Sequence, residues 1–466
     1  MMRLQQAYAW VAAGQTPVVM VGDGQTRIQR VHTDTRTLQQ GDLFVALKGE
    51  NFDANDFLVQ AGSDGATAAI AHCGLHKAGL PGLQVSDSKL ALGNLAAGWR
   101  SQFGLPLIAV TGSNGKTTVT QMIAAILRAW KGDAAFSTEG NFNNDIGVPL
   151  TLLRLKPEHQ VGVVELGMNH SGEIAYLAGL TRPAVALVNN AQREHLEFMA
   201  TVEAVAAENG SVIDALDVHG TAVFPADDDY TAMWQKIAGS RKVYTFALTG
   251  PADVTADACW VGSCWQVRAA TPSGTVEFML GIAGRHNVKN ALAATACALA
   301  AGVPLATIGV GLAAFVPVKG RSRATQVLVQ GRSVHLIDDT YNANPDSMRA
   351  AIDLLAELPG PRLLVMGDMG EVGNQGPQFH EEAGHLARAS GIDKLFALGG
   401  QSVRACSSFG QGRHFNDMDT LNAAVLAELP QLGSVLVKGS RFMKMERVVQ
   451  AVNTAQIIFP ESSHAA

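Results

Sequence analysis

The chain carries at residues 110–118 the sequence Val110-Thr111-Gly112-Ser113-Asn114-Gly115-Lys116-Thr117-Thr118. The apolar run before it, Leu105 to Val110, predicts a buried strand, and Val119 to Trp130 predicts an amphipathic helix. A small-residue turn between a strand and a helix, ending in Gly-Lys-Thr-Thr, is typical of a loop that binds phosphate. Glycines let backbone N–H groups close around phosphate oxygens, and the start of the helix favours negative charge.

Two side chains of this loop have predicted roles. Lys116 is expected to neutralise the β and γ phosphates, and the Thr117 hydroxyl to bind Mg²⁺. The full phosphate-loop pattern has a glycine at the position of Val110, so this loop is a shortened variant that starts turning at Gly112. The alternative is a glycine-rich turn with an exposed lysine. The strand, turn, helix and hydroxyl pair together favour nucleotide binding.

Length and composition indicate a multidomain globular enzyme. A chain of 466 residues is too long for one core and predicts about three domains. The net charge of -6 argues against a nucleic-acid surface, so phosphate binding must come from local geometry. No apolar run approaches the ~20 residues of a membrane span, and Met1 to Trp10 lacks the apolar core of a signal peptide. We therefore expect a cytoplasmic enzyme.

The five cysteines show no metal-binding spacing. Even the two closest, Cys259 and Cys264, are too far apart for a C-x₂-C knuckle. We predict buried, reduced thiols at all five positions, which are Cys73, Cys259, Cys264, Cys297 and Cys406.

Residues 87–317 predict a mostly parallel sheet, because apolar strands alternate with helices. The strand at 161–167 ends near Glu165, and the strand at 184–188 is followed by a loop bearing His195. Ligands of such sheets bind outside the carboxyl ends of the strands, so both side chains are expected near the phosphate loop. Four short runs between residues 219 and 285 predict an antiparallel extension of this domain. They are Ala222–Phe224, Lys242–Phe246, Cys264–Arg268 and Thr275–Leu280.

The two ends of the chain predict smaller α/β units. Residues 1–86 mix short strands and turns, and polar groups flank the strand-like run Leu43–Leu47. By themselves these polar groups fit a binding site or an edge strand with polar turns equally well. In residues 318–466 strands and helices alternate again, and Asn344 before Pro345 is the predicted cap of a helix. The tail after Pro460 is expected to fray.

Several motifs, in this order, resemble those of the Mur ligases. The similarity extends over essentially the whole chain and rests on Thr111–Thr118, Asn141–Pro149, Val164–Asn169, His195–Glu197, Gly284–Asn290, Asp339–Pro345 and Lys438–Arg441. The resemblance implies three α/β domains: a UDP-binding unit at 1–86, a central ATPase with a mostly parallel sheet at 87–317, and a Rossmann-like domain at 318–466.

The activity implied by this resemblance is that of an ATP- and Mg²⁺-dependent ligase of peptidoglycan synthesis. Within the family, the motifs at 341–345 and 366–371 look like those of members that join D-alanyl-D-alanine to UDP-N-acetylmuramoyl-tripeptide through an acyl phosphate. Either meso-diaminopimelate or lysine fits as the third residue of that tripeptide. We expect a monomer with small-molecule substrates and no nucleic-acid partner.

The resemblance also implies a role for individual residues. The triphosphate and its magnesium would be held by the phosphate loop, by Glu165 and by His195, which resemble the family's magnesium ligands together with Thr117. Asn287 and Asn290 look like the asparagines that read adenine, with helix capping as their alternative. Residues that would finish the ATP and amine sites are Arg321, Asp339 and Asn342. The remaining substrate contacts implied are Asp34, Thr35, Arg36, Gly49, Glu50, Asn51, Asn143, Asn144, Lys438, Ser440 and Arg441.

One position departs from the family pattern. Where family members commonly have a carbamylated lysine, this chain has Asn209, within Ala207-Glu208-Asn209-Gly210. An asparagine cannot be carbamylated, so the second magnesium site is expected to be built differently. Glu208, Asn209 or a water are the candidates to stand in.

Three other functions compete with this prediction. The first is the related ligase that adds the third amino acid, whose diaminopimelate-reading form carries an Asp-Asn-Pro-Arg motif that does not occur here. A more remote one is folylpolyglutamate synthase, which has the same fold. The last is a non-catalytic ATP-binding regulator, which would have no need of a sugar-nucleotide site at the N-terminus.

Overall fold

The computed structural model describes residues 1–14, 17–261 and 263–458. Each of the three predicted domains contains at least one sheet of its own. The predicted domain limits themselves stay a prediction, and the predicted fraying after Pro460 lies outside the described residues.

The N-terminal region is a five-stranded sheet, with a two-stranded ribbon beside it, in the part of the chain that is described. Its elements are β1 Met2–Arg3, α1 Leu4–Gly14, β2 Val18–Val21, β3 Arg27–Ile28, β4 Arg30–His32, β5 Asp42–Val45, α2 Leu58–Ser63, β6 Ala66–Ala71, α3 Leu75–Ala78 and β7 Gly82–Val85. The strand order is β2-β7-β6-β5-β4, parallel except for β2 against β7.

The central region is built on a six-stranded, all-parallel sheet, counted over the described residues. Its elements are α4 Ser88–Arg100, β8 Leu107–Thr111, α5 Lys116–Lys131, β9 Ala135–Ser137, α6 Gly147–Leu152, β10 Val161–Glu165, α7 Glu173–Thr181, β11 Val185–Val188, α8 Leu196–Met199, α9 Val202–Asp214, β12 Thr221–Pro225, α10 Thr231–Ala238, β13 Lys242–Phe246, β14 Thr255–Val261, β15 Cys264–Thr271, β16 Gly274–Leu280, α11 Arg285–Ala300 and α12 Leu305–Ala313. The three strands β14 to β16 form a separate antiparallel sheet.

The C-terminal region has a second six-stranded sheet within residues 323–438. Its elements are β17 Arg323–Val329, β18 Arg332–Asp339, α13 Pro345–Ala356, β19 Arg362–Gly367, α14 Gly376–Ala389, β20 Lys394–Leu398, α15 Val403–Phe409, β21 Arg413–Phe415, α16 Met418–Glu428, β22 Ser434–Lys438 and α17 Glu446–Ile458. The order is β17-β18-β22-β19-β20-β21, with only the β17–β18 pair antiparallel among these strands. The predicted cap is confirmed, because the Asn344 side chain accepts from the Ser347 N–H.

The order of the central sheet places the phosphate loop at its switch point. The sheet runs β13-β12-β11-β8-β10-β9, so β8 lies between β11 and β10. The chain turns to one side of β8 for β9 and β10 and to the other for β11 to β13. Ligands of open α/β sheets bind at the carboxyl ends of the strands where the direction of winding changes. The ends of β8, β10 and β11 are therefore the expected position of the site.

Two of the predicted antiparallel strands are in fact part of the parallel sheet. Thr221–Pro225 and Lys242–Phe246 continue the sheet beyond β11, and among the described residues of 219–285 only β14 to β16 are antiparallel. These short runs, broken by Gly, Pro and Asp, resembled hairpin strands. In the structure, helix α10 connects β12 to β13, and a helical connection of this length joins parallel strands. The cysteine prediction was also partly wrong, since Cys73 and Cys259 are exposed.

The hydrophobic core of the central region lies on both faces of the parallel sheet, as expected for strands covered by helices. The helix α5 and the alanine-rich α11 cover one face, and α4, α7 and α9 cover the other. The N-terminal sheet shares the second of these clusters through α1 and α4. Among the described residues, no helix is long and apolar enough to cross a membrane.

The side chain of Trp234 offers a test of this core. It is fully buried, and its Nε1 donates to the Ala206 carbonyl at 2.9 Å. Trp234→Ala should lower the free energy of unfolding by about 3–5 kcal/mol, because it leaves a cavity and removes the hydrogen bond to the Ala206 carbonyl. Trp260, 37% exposed on β14, is the matched control, and Trp260→Ala should cost less than about 1 kcal/mol. Urea unfolding followed by circular dichroism measures both, and equal losses would contradict this account.

Candidate active site

The phosphate loop contains two glycines in a backbone conformation that favours glycine, and one of them also leaves little room beside neighbouring backbone atoms for a side chain. Gly112 has φ of 130° and Gly115 has φ of 83°, both in the left-handed region. A Cβ on Gly112 would lie 3.0 Å from the backbone nitrogens of Asn189 and Asn190, which follow β11. The loop is therefore wedged against the end of the neighbouring strand. This close approach keeps its backbone N–H groups at the start of α5, the kind of position that favours a phosphate.

Lys116, the first residue of α5, has its ammonium group inside the loop. Its Nζ donates to the carbonyls of Gly112 and Ser113 at 2.5 and 3.0 Å. It also donates to Glu194 Oε1 at 3.0 Å, and both side chains are largely buried. A buried charge is costly without a partner, and Glu194 supplies the counter-charge. To reach a triphosphate, the ammonium must leave this carboxylate.

Glu165, at the end of β10, is a buried carboxylate that is only half satisfied. Its Oε1 accepts from the Thr117 hydroxyl at 3.0 Å and from Asn143 Nδ2 at 2.7 Å. Its Oε2 is buried and has no hydrogen-bond partner among the described residues. An unpaired carboxylate oxygen beside a threonine hydroxyl fits a hard cation, which takes oxygen ligands. Thr117 and Glu165 thus fit the Mg²⁺ predicted for them.

His195 lies between two carboxylates at the edge of the central domain. Its Nε2 is 3.5 Å from Glu194 Oε1, and its Nδ1 is 2.7 Å from Glu371 Oε2, which belongs to the C-terminal region. Burial disfavours the charged ring, but the two carboxylates outweigh it and raise the pKa of His195 to about 9. A protonated ring has no free lone pair for a metal. His195 as a magnesium ligand stays a prediction that requires the ring to lose a proton.

The C-terminal region contributes a buried ion pair. Lys438 Nζ donates to Asp339 Oδ2 at 2.6 Å and to the Asn342 carbonyl at 2.9 Å. Burial raises the pKa of Asp339, yet Lys438 and the backbone N–H of Ser322 outweigh it and leave it below the ordinary value. The guanidinium of Arg321 stacks over the Tyr341 ring at 4.0 Å. Both cations line the same cleft as the phosphate loop.

The two asparagines of α11 are bonded to one another. Asn290 Nδ2 donates to Asn287 Oδ1 at 2.9 Å, and Asn287 Nδ2 donates to the Ala283 carbonyl at 2.7 Å. Asn189 Nδ2 donates to Asn290 Oδ1 at 3.0 Å. Helix capping, the alternative reading of Asn287, does not describe this arrangement, because its side chain accepts from no helix N–H.

A cleft of about 890 Å³ brings most of the predicted residues together between the central and C-terminal regions. Those that line it are Ser113, Asn114, Gly115, Lys116, Thr117, Thr118, Asn143, Asn144, Glu165, His195, Asn287, Asn290, Arg321, Asp339, Asn342 and Lys438. The predicted residues outside its lining are Asp34, Thr35, Arg36, Gly49, Glu50, Asn51, Thr111, Gly112, Ser440 and Arg441.

The residues outside the cleft lie in two kinds of place. Asp34 and Arg36 form an ion pair at 2.7 Å on the N-terminal domain. Binding of the uridine nucleotide there stays a prediction. Ser440 joins two loops of the C-terminal region, since its hydroxyl donates to the Ala343 carbonyl and accepts from the Gly370 N–H. Arg441 is exposed and pairs with Glu446 at 3.3 Å.

The departure at Asn209 has a structural explanation. Its Oδ1 accepts from the Thr111 hydroxyl at 2.7 Å and from the Gly112 N–H at 3.1 Å, so it braces the base of the phosphate loop. Its buried Nδ2 has no partner among the described residues. Glu208 is held elsewhere, because its carboxylate accepts from the N–H groups of Gly172 and Ile174 at the start of α7. Glu208 is therefore a poor stand-in for a metal ligand.

Sequence analysis missed Arg193 and Glu194, which line the same cleft. Glu194 pairs with Lys116, and Arg193 pairs with Asp346 and Glu382 of the C-terminal region. Their position could have identified them, because they are two adjacent charged residues directly before His195, in the loop that follows the buried strand β11. Their partners are distant in sequence, so the pairing itself could not be read from the chain.

Comparison with known proteins matches three family models to the chain. They are "Mur ligase family, catalytic domain" at residues 27–100, "Mur ligase middle domain" at 110–298 and "Mur ligase, glutamate ligase domain" at 323–441. The UDP-N-acetylmuramoyl-tripeptide–D-alanyl-D-alanine ligase of Escherichia coli K12 is 44% identical over 91% of this chain and 94% of its own length. The chain is a Mur ligase.

Solved structures agree with this assignment. A MurF crystal structure from Acinetobacter baumannii has a TM-score of 0.88 and 35% identity, covering 97% of this Mur ligase and 98% of that chain. MurF ligase from Thermotoga maritima in complex with ADP has a TM-score of 0.83 and 26% identity, covering 93% and 98%. The predicted family and the three-domain α/β fold are confirmed.

Removal of the charge on Glu194 should strengthen nucleotide binding. Glu194→Gln frees Lys116 from its counter-charge and removes a negative group beside the incoming phosphates, so the Kd for ADP should fall about tenfold. Isothermal titration calorimetry with ADP and Mg²⁺ measures it. Glu139→Gln is the control, since Glu139 is exposed and pairs with Arg154. Weaker binding by Glu194→Gln would mean that Glu194 itself holds the ligand.

The contact of His195 with Glu371 should make stability depend on pH. Glu194 and Glu371 together raise the folded-state pKa to about 9, above the ordinary 6.5, so their joint stabilisation is full below pH 6.5 and is lost as pH rises through 9; the Glu371 contact supplies part of it. Glu371→Gln should therefore lower the free energy of unfolding at pH 6 by about 1–3 kcal/mol and have little effect at pH 10. Urea unfolding at both pH values measures this. A deficit that grows with pH would contradict the assignment.

Proposed function

We propose that this Mur ligase uses ATP to join D-alanyl-D-alanine to UDP-N-acetylmuramoyl-tripeptide, releasing ADP and phosphate. The relative of 44% identity is named for this reaction, and it aligns with the chain over nearly its full length. We also propose that it acts as a monomer, with domains at 1–86, 87–317 and 318–466.

The observation that carries this proposal is that charged groups of the central and the C-terminal regions line one cleft. Lys116 and the unpaired oxygen of Glu165 lie on the central side, and Lys438 and Arg321 on the C-terminal side. An acid-activating ligase must hold the triphosphate, the carboxylate that attacks it and the acceptor amine in one site, with each pair of reacting atoms about 3–3.5 Å apart before they react. A protein that only bound ATP would need the first half of this cleft alone.

Mg²⁺ fits the acidic end of the cleft. Within residues 1–14, 17–261 and 263–458, no group of three or more His, Cys, Asp or Glu side chains is arranged as a ready-made metal site. Thr117 and Glu165 would therefore hold the ion together with oxygens of the nucleotide, as is usual for Mg²⁺. When bound, the ion neutralises charge on the phosphates.

The first step that we propose activates the tripeptide. A carboxylate oxygen of UDP-N-acetylmuramoyl-tripeptide attacks the γ phosphorus of ATP, the bond to the β-phosphate oxygen breaks, and ADP leaves. Lys116 moves from Glu194 to the phosphates, while the N–H groups at the start of α5 orient them. Asn287 and Asn290 are the proposed contacts of adenine, and Asn143 and Asn144 those of the substrate.

The second step that we propose forms the peptide bond. The deprotonated amine of D-alanyl-D-alanine attacks the acyl carbon, and phosphate leaves the tetrahedral intermediate. Fixed cations stabilise the negative charge of such an intermediate, and we assign this role to Lys438 and Arg321, which line the cleft. Asp339 and the Asn342 carbonyl fix the Lys438 ammonium in position. Water must stay out of the cleft, because it would hydrolyse the acyl phosphate.

The uridine nucleotide is proposed to bind on the N-terminal domain. Asp34, Thr35 and Arg36 form a short polar turn after β4, and the segment Gly49–Asn51 follows β5 with its residues exposed. Both turns follow parallel strands of one sheet, so they lie at the same edge. The peptide end of the substrate would extend from there into the cleft.

Phosphate release tests the proposed reaction. Purified enzyme is given ATP, Mg²⁺ and UDP-N-acetylmuramoyl-tripeptide, and D-alanyl-D-alanine is compared with single amino acids. Turnover only with the dipeptide supports the proposal. In a parallel assay with UDP-N-acetylmuramoyl-dipeptide as the acid, turnover with a single amino acid would point to the third-residue ligase. ATP binding without phosphate release in either assay would point to a regulator.

Lys116→Ala should abolish this turnover while the protein stays folded. The ammonium group acts on charge that develops on the transferred phosphoryl group, so kcat/KM should fall by about a thousandfold or more. Lys156→Ala, at an exposed position outside the cleft, is the control and should keep wild-type turnover. Circular dichroism confirms folding, and Lys116→Ala with near-normal kcat/KM would refute the role of the loop.

A further inference from the structure

The segment 189–195, which we call the bridging segment, runs from the end of β11 to the start of α8. It lies between the phosphate loop on one side and the C-terminal region on the other. Every residue of the segment lines the cleft. Its contacts with both sides involve charged and amide groups, which makes it a physical link between them.

The bridging segment is hydrogen-bonded to the phosphate loop. Asn190 Oδ1 accepts from the Asn114 N–H at 2.8 Å, and Gln192 Oε1 accepts from Asn114 Nδ2 at 2.6 Å. The Gln192 N–H donates to Ser113 Oγ at 2.9 Å. Because of these hydrogen bonds, we expect a shift of the phosphate loop on nucleotide binding to displace the bridging segment as well.

Arg193 connects the same segment to the C-terminal region. Its guanidinium donates to Asp346 at 2.6 to 3.2 Å and to Glu382 at 2.8 and 3.1 Å. Its backbone N–H also donates to Asp346 Oδ2 at 2.8 Å. Asp346 is in the first turn of α13, Glu382 is on α14, and the Phe379 ring lies 5.2 Å from the guanidinium. One side chain of the central region thus joins two helices of the other region.

We propose that Arg193 is a positioning residue that holds the C-terminal region closed over the phosphate loop. In this arrangement Lys438 and Arg321 line the same cleft as Lys116, as the proposed reaction requires. Arg193 touches neither phosphate nor amine in this assignment. It acts through the two carboxylates and through the bridging segment that carries it.

The geometry favours arginine over any other cation at this position. Two carboxylates approach the same planar group from different helices, and only a guanidinium offers enough donors in a fixed plane to bind both. Glu382 is balanced further by Arg349, which donates to it at 2.6 Å. The cluster therefore has two positive and two negative side chains, and its formation leaves no buried charge uncompensated.

An ionic contact of this kind suits a joint that opens and closes. The Arg193 side chain is 22% exposed and Asp346 is 20% exposed, so water can replace each partner when the regions separate. An apolar joint of the same area would resist opening, because separation would expose it to water. Loss of Arg193 should shift the protein towards the open arrangement without unfolding either region.

The test compares Arg193→Ala, Arg193→Lys and Arg404→Ala. Arg404 donates to Glu381 within the C-terminal region, so it is a matched ion pair that does not join the two regions. Small-angle X-ray scattering of the ligand-free protein should give a larger radius of gyration for Arg193→Ala only. Arg193→Lys should lie between Arg193→Ala and wild type, because an ammonium keeps the charge but cannot bind both carboxylates.

Kinetics provide the second measurement. For Arg193→Ala, the KM for D-alanyl-D-alanine should rise about tenfold and the KM for ATP should rise less, because the phosphate loop belongs to the central region. The ratio of phosphate released to peptide formed should rise above that of wild type, since the acyl phosphate becomes open to water. Glu382→Gln removes one of the two partners and should show the same changes at smaller size.

The outcomes separate this inference from the proposed function, on which only its kinetic part rests. An unchanged radius of gyration for Arg193→Ala would overturn the inference whatever the enzyme's substrates are. A larger radius with no turnover of the wild-type enzyme on these substrates would instead overturn the proposed function. Equal losses of kcat for Arg193→Ala and Arg404→Ala, with no change in the phosphate-to-peptide ratio, would indicate a merely structural role and refute the proposal.

Discussion

The need to compensate buried charge governs this site. The Lys116 ammonium and the Glu165 carboxylate are both held inside the protein at the carboxyl edge of a parallel sheet. Lys116 is compensated by Glu194 and by loop carbonyls, whereas Glu165 keeps one buried oxygen without a partner. A buried charge that is not fully compensated favours the binding of an opposite one. Glu165 is therefore prepared for a cation, whereas Lys116 can bind an anionic group only by exchanging Glu194 for it.

The same constraint explains the contacts between the central and C-terminal regions. They are ionic and amide contacts for the most part: Arg193 with Asp346, His195 with Glu371, and Asn114 with Asn344. Both His195 and Glu371 have positive φ, a conformation that non-glycine residues adopt at some cost. Polar interfaces between domains permit relative motion, because their groups can be hydrated when they separate. An enzyme that must admit two substrates and then exclude water needs such an interface.

Much of the fold could be predicted because its signals are local. The strand before the phosphate loop, the helix after it and the cap at Asn344 follow from residues within a few positions of one another. The failures occurred where the deciding contact was distant. The strands at 221–225 and 242–246 resemble hairpin strands by themselves, and only their register against β11 makes them parallel. Glu208 looked available for a metal until its bonds to the start of α7 were known.

The amino-acid sequence alone determined the phosphate loop, the alternation of strands and helices, the family resemblance and most of the residues of the cleft. These follow from short-range chemistry: glycine conformations, apolar periodicity and the identity of side chains after strands. The tertiary structure decided which charges meet. The pairing of Lys116 with Glu194, of Arg193 with two helices and of Asn209 with the loop base joins residues that lie far apart in the chain. A sequence specifies such pairs only through the packing of the whole sheet, since each partner's position depends on every element between them.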